Sequence, residues 1–188
     1  MSTPKTQAMM DQVESISLTI TAPAQMPLGS DNEMKLLGTA TWLWSHSEEH
    51  RGASIEDLAS ILFPVISQRQ CLIFHQENKP VGYVSWALMD ESAEQRYLSG
   101  LNRLLKPADW LSGDRAWMVD VIFPFGHLSP SVLRQARSAL PIQWCRFLQH
   151  RAQKRGATIK HFYVDTKVMS EANRWFNEPS PMAPIRRV

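Results

Sequence analysis

The sequence predicts an α+β domain in which helices cover a mostly antiparallel central sheet, on three observations. Two short β-patterned runs, residues 70–76 and 81–88, flank Glu77-Asn78-Lys79-Pro80, which reads as the turn of a hairpin. Helical spacing occurs both before and after this hairpin, a mixed order that suits helices packed on an antiparallel sheet. The chain has 188 residues, with 44% hydrophobic and 20% charged residues, enough for one domain with its own core.

Taken in order, residues 1–34 are rich in Pro, Gly, Ser, Thr and Met with little periodicity, and are expected to be a mobile N-terminal extension. Within them only Val13–Ile20 alternates like a strand. The folded domain is expected over residues 35–176, and Met34–Trp44 begins it, passing from apolar to polar residues toward Arg51. Gly52 permits a turn. Ser54 then reads as a helix N-cap with Asp57 as its capping-box partner, and Ile55, Leu58, Leu62, Val65 and Ile66 give the apolar stripe. Pro64 lies inside that stripe and is expected to kink or shorten the helix. After the hairpin, residues 91–105 return to helical spacing. Residues 107–115 read as a loop, and 116–123 as a strand ended by Pro124 and Gly126. Residues 130–155 carry a long helical pattern, broken or bent near Pro141, and 158–164 read as a last strand. Three prolines and Arg186-Arg187 mark residues 177–188 as a disordered tail.

Composition narrows the function classes. No apolar run approaches the ~18 residues of a membrane span, and no secretory leader opens the chain. The two cysteines, Cys71 and Cys145, have neither metal nor redox spacing, so a reduced, cytoplasmic setting without a disulfide is expected. His-Glu-x-x-His, Cys-x-x-Cys, Gly-x-Ser-x-Gly and Gly-rich phosphate loops are all missing, which argues against zinc, serine-hydrolase and nucleotide chemistry. The seven tryptophans include the pairs Trp42/Trp44 and Trp110/Trp117, which suit core packing first and the wall of an apolar ligand site second. From Val121 to Val164 there are seven basic residues and no acidic one. Such a run is most often a solvated face, and otherwise a docking surface for an acidic partner; the absence of a nucleic-acid motif ranks nucleic acid low.

Asp120 is the most informative residue. It interrupts Trp117–Phe123, a run apolar on both faces, where a carboxylate is costly unless paired. It is either a structural acid satisfied by Arg or backbone amides, or the group that orients a catalytic histidine. His50, in a polar stretch before Arg51 and Gly52, leads the six histidines as a base, since an imidazole of pKa ~6.5 accepts protons near neutrality. The two lie far apart in sequence, and spacing alone does not join them.

Three blocks, over about residues 37–128, resemble the RTX toxin-activating lysine acyltransferases. They are Leu37-Gly38 with Trp42-Leu43-Trp44 and Ser47-Glu48-Glu49-His50-Arg51; Pro80–Ala87 with Tyr97-Leu98; and Asp109–Gly126. The resemblance implies a fold similar to GNAT-type N-acyltransferases, an essential histidine at His50 and an essential aspartate at Asp120, with Ser47 as a secondary candidate. It implies transfer of a fatty acyl group from acyl carrier protein, a co-substrate with a phosphopantetheine thioester, to internal lysines of an RTX protoxin. It implies no bound cofactor and no metal, and it allows a homodimer. The basic residues Arg134, Arg137, Arg151, Lys154 and Arg155 are then the expected docking region for the acidic carrier. The chain departs from the pattern at Phe123, where the family usually has Ala, and beyond residue 128 the pattern is no longer followed. Two rival readings remain: a GNAT-type enzyme using a small acyl-CoA, and a non-catalytic docking module for a large secreted protein.

Overall fold

The computed structural model describes residues 18–23, 26, 29–100, 105–126, 129–150, 157–164, 167 and 169–177. Most of the expected extension and the tail from 178 onward therefore lie outside the described residues. So do Arg151, Lys154 and Arg155.

Six strands lie in sequence order across one sheet: β1 (Thr19–Thr21), β2 (Cys71–Gln76), β3 (Lys79–Met89), β4 (Arg115–Ile122), β5 (Trp144–His150) and β6 (Ala157–Tyr163). Every neighbouring pair is antiparallel except β4–β5, which is parallel. The fold is thus α+β with a mostly antiparallel sheet. Helix α1 (Ser30–Ser45) begins four residues before Met34, with Asp31 and Glu33 in its first turn, where carboxylates favour the helix dipole. Helix α2 (Ile55–Asp57) starts at the capping box of Ser54 and Asp57, and continues through a π-helical turn (Leu58–Leu62) into α3 (Phe63–Ser67). The wide turn lies directly before Pro64, whose ring would crowd the carbonyl of an ordinary α-turn. Helix α4 (Glu91–Gly100) follows β3, and a 3-10 turn (Pro107–Trp110) occupies the segment read as loop. Helix α5 (Pro130–Ala139) makes the crossover that a parallel β4–β5 pair requires, and α6 (Met169–Asn177) ends the described chain.

The helices cover both faces of the sheet. On one face Leu36, Ala40, Leu43 and Trp44 of α1 pack with Leu62, Val65 and Ile66 on Ile73, Tyr83, Ala87, Met89 and Trp117. On the other, Val132, Ala136 and Leu140 beside α5 and Ala172 of α6 pack on Leu72, Phe74, Val84, Trp86 and Met118. Covering on both sides explains why β3 is buried at every position from Val81 to Met89 instead of alternating. The hairpin turn has Glu77 at φ 47° and Asn78 at φ 66°, the two left-handed residues of a type I′ turn, whose twist matches the flanking strands.

Two expectations are corrected. The long helix over 130–155 stops at Ala139: Leu140 is extended (φ −68°, ψ 132°), the conformation that Pro141 imposes on its predecessor. Farther along that stretch, Trp144–His150 is β5, with Trp144 and Cys145 buried. The second correction is at the C-terminal end, where α6 adds a helix the sequence pattern did not reveal. Its Phe176 ring stacks on His161 at 3.7 Å, and Asn173 accepts a hydrogen bond of 2.8 Å from the Tyr163 hydroxyl. Both contacts lie across to β6, so local periodicity carries no sign of them. Of the tryptophans, Trp44, Trp86, Trp110, Trp117 and Trp144 are buried in the core.

Cys71 and Cys145 are free, buried and on opposite faces of the sheet. Burial pushes each thiol up to about 12. At pH 8 the thiolate fraction is then on the order of 10⁻⁴, so iodoacetamide should leave both unmodified in the native protein and label both in denaturant, as intact mass would show. Burial also holds His75 below the ordinary imidazole range, against a smaller opposing effect of its hydrogen bond to the Thr19 backbone. As pH falls past ~6.5 the unfolded chain takes up protons at this site that the folded chain refuses, so stability is full above that value and declines below it. The urea midpoint should be lower at pH 5.5 than at 7.5, and His75→Gln should reduce that difference.

Candidate active site

Asp120 reaches the face covered by α1 through an irregularity in β4. Register pairs run Ser85↔Asp120 and Trp86↔Met118, so Val119 has no partner on β3 and bulges from the ladder. Without that extra residue, Trp117 and Asp120, three apart, would point to opposite faces. With it, both lie on the face covered by α1. Asp120 is 6% exposed.

His50 comes from the turn after α1. The N–H groups of His50 and Arg51 both bond the Ser47 carbonyl, at 3.2 and 2.9 Å, and the Ala53 N–H bonds the His50 carbonyl at 2.8 Å. This tight backbone path fixes where the imidazole projects. Buried Trp44 supports the ring, with centroids 4.8 Å apart.

These elements bring four side chains into one line. His50 Nε2 lies 3.2 Å from Asp120 Oδ1, and the Ser85 hydroxyl donates to Asp120 Oδ2 at 3.1 Å. On the other side of the ring, Ser47 Oγ lies 3.0 Å from His50 Nδ1. An ionised carboxylate can only accept, so Nε2 carries the proton toward Asp120. In the neutral ring Nδ1 is therefore the basic nitrogen, and it accepts from the Ser47 hydroxyl. The side chain of His50 is 16% exposed and that of Asp120 4%, so the ring is reachable while the carboxylate is not. The structure thus joins His50, Asp120 and Ser47, the three residues singled out from sequence. Ser85 was missed, although it carried the signal that flagged Asp120: a polar residue inside an apolar strand, here fully buried.

The array opens on a cavity of about 980 Å³. Glu48, Glu49, His50, Arg51 and Asp120 give its polar part, while Val84, Met118, Leu133, Leu140, Phe147 and Phe162 give an apolar part beside α5. The cavity fits a gap in the sheet. The parallel β4–β5 ladder contains only Trp117↔Arg146 and Met118↔Phe147, although both strands continue, and Val119, Val121 and Leu148 beyond it line the cavity. At the paired end, Glu94 of α4 holds the two strands together. Its carboxylate accepts from Arg115, from the Trp117 indole N–H at 2.8 Å and from Arg146 at 3.3 Å. Arg146 is thereby committed to an internal ion pair and is not part of a basic surface. Arg134 and Arg137 lie on α5, and Arg137 sits 5.1 Å over the Phe162 ring. Among the described tryptophan side chains Trp44 alone lines the cavity, and much of its apolar wall is made by Val, Leu, Met and Phe.

Among the described residues no group of three or more His, Cys, Asp or Glu is placed to hold a metal ion. Among them, too, no helix is long and apolar enough to cross a membrane. The hydrogen-bonded line predicts a single imidazole tautomer. In ¹⁵N-resolved NMR, the neutral form of the His50 ring should carry its proton on Nε2 and leave Nδ1 bare, and Asp120→Ala should abolish that preference.

Comparison with known proteins adds four findings. The model of the RTX toxin acyltransferase family matches residues 30–163. The leukotoxin-activating lysine-acyltransferase LktC serotype A1 of Mannheimia haemolytica is 40% identical over 92 residues, which cover 49% of this chain and 54% of that protein. The chain thus spans about half the length of this relative. The leukotoxin-activating lysine-acyltransferase LtxC of Aggregatibacter actinomycetemcomitans is 30% identical over 148 residues, covering 79% of this chain and 87% of its own. Among solved structures, a GNAT-like decarboxylase, GphF, in complex with isobutyryl-CoA superposes with a TM-score of 0.46 at 14% identity, over 90% of this chain and 80% of the other.

Proposed function

The chain belongs to the RTX toxin acyltransferase family, and from that premise we propose that it transfers a fatty acyl group from acyl carrier protein to lysine side chains of an RTX protoxin. The observation that carries this reading is the Ser47–His50–Asp120–Ser85 line, whose His50 and Asp120 line a largely apolar cavity.

A lysine amine, with a pKa of ~10.4, must shed a proton to attack a thioester. His50 is the base and Asp120 the group that fixes its tautomer and stabilises the imidazolium. Because Nδ1 faces Ser47, the proton passes from the amine through the Ser47 hydroxyl to the ring. The amine nitrogen bonds to the thioester carbonyl carbon, the C–S bond breaks, and the pantetheine thiolate leaves and is reprotonated from the imidazolium. Val119, without a register partner on β3 and lining the cavity, is the candidate source of a backbone donor to the tetrahedral oxyanion. The gap between β4 and β5 suits an extended pantetheine arm, whose amides can bond strand edges, and the apolar chamber beside α5 suits the acyl chain. Arg134 and Arg137 on α5 suit an acidic carrier protein. The remaining docking candidates, Arg151, Lys154 and Arg155, come after β5 in sequence.

The test is lysine acylation, mapped by mass spectrometry, with purified protein, acyl carrier protein loaded with a fatty acid, and an RTX protoxin. His50→Ala and Asp120→Asn should each lower the rate about 10²–10⁴-fold with unchanged circular dichroism. Ser47→Ala should lose less, since water can replace a relaying hydroxyl. Equal losses at Ser47 and His50, with acyl-serine trapped, would instead make Ser47 a nucleophile. Wild-type rates in His50→Ala would overturn the mechanism, and preferential use of free acyl-CoA would overturn the carrier assignment.

A further inference from the structure

We propose that Phe123 sets the length of acyl chain the cavity accepts, acting as a fixed end wall; this rests on the reading that the cavity holds a fatty acyl group. Phe123 comes directly after the last residue of β4 and lines the cavity. Its ring lies directly over Gly82 of β3: a Cβ built on Gly82 would meet Cε1 at 2.2 Å, Cδ1 at 2.5 Å and Cζ at 2.6 Å. The ring therefore occupies the volume that any other residue at 82 would need for its own side chain. Phe74, the register partner of Gly82 on β2, meets the same ring at 5.2 Å between centroids with a 52° tilt.

The ring is thus seated in a notch in the sheet surface, braced by Phe74. Other parts of the apolar wall, such as Met118 and Leu133, are flexible aliphatic side chains that can give way to a ligand. A phenylalanine ring has few rotamers, and swinging it out would empty the notch over Gly82, leaving apolar surface without contacts. The ring is the stop against which a growing chain ends. Removing it joins the Gly82 notch to the cavity and makes room for further methylenes.

The experiment uses the purified full chain and a series of acyl-pantetheines from butyryl to palmitoyl, with binding read by tryptophan fluorescence and calorimetry. Wild-type affinity should rise with chain length to a limit and then fall. Phe123→Ala should move that limit at least two carbons longer, with a gain of about tenfold for the first chain that the wild type rejects. Phe123→Leu should lie between. Adding Gly82→Ala to Phe123→Ala refills the notch and should move the limit partway back, whereas Gly82→Ala alone should lower the thermal midpoint by displacing the ring. If a folded Phe123→Ala, or Phe123→Leu where the alanine variant fails to fold, keeps the wild-type rank order, Phe123 is packing only and the proposal falls while the acyl-transfer reading stands. If the wild type binds no member of the series, that reading falls with it.

Discussion

A carboxylate buried in an apolar strand is the constraint on which the site depends. Asp120 is expensive where it lies, because an ion taken from water must be compensated by hydrogen bonds and an opposite charge or dipole. Three features meet that demand together. The Val119 bulge turns the residue to the face of α1, Ser85 on the neighbouring strand satisfies one oxygen, and His50 satisfies the other. Each feature is arranged by a different part of the chain: an irregular strand, its hairpin-borne neighbour, and the turn that closes α1. The imidazole is held by its role as Asp120's partner. The same hydrogen bond that offsets the cost of burial leaves Nδ1 as the basic nitrogen.

The second requirement is space beside that array, and the sheet provides it by pairing β4 and β5 over only part of their length. Glu94 fastens the paired end, drawing Arg115 and Trp117 of β4 and Arg146 of β5 onto one carboxylate. Beyond Phe147 the ladder stops and the cavity begins. A fully paired sheet would have no room there, while an unfastened one would lack the rigid edge that positions Asp120. The buried ion cluster and the open gap thus work as one device, rigid on one side and accessible on the other.

The family resemblance and the physical reading converged on His50 and Asp120 by different routes. On physical grounds Asp120 stood out because its neighbours are apolar, and His50 because it lies in a polar stretch before Arg51 and Gly52. Ser85 carried the same anomaly as Asp120 but is a small, uncharged residue, cheap enough to bury that it attracts no notice. Helix 130–155 failed for a nameable reason. Pro141 does more than bend a helix, since it forces Leu140 into the extended region, and the Trp144–His150 run is strand because β4 and β6 lie on either side of it.

By itself the sequence determined the local elements whose causes are local: the capping box at Ser54, a hairpin turn within Glu77–Pro80, the strand around Asp120 and an interruption near Pro141. It also determined the candidate acid and base, through residue type and motif. Only the tertiary structure decided that these two meet, that Ser47 and Ser85 complete the line, and that Phe123 fills the place over Gly82. Those outcomes depend on strand register and on a single bulged residue. One residue of slip reverses every side chain's face, and register is set by the packing of both faces at once, which no window of sequence contains.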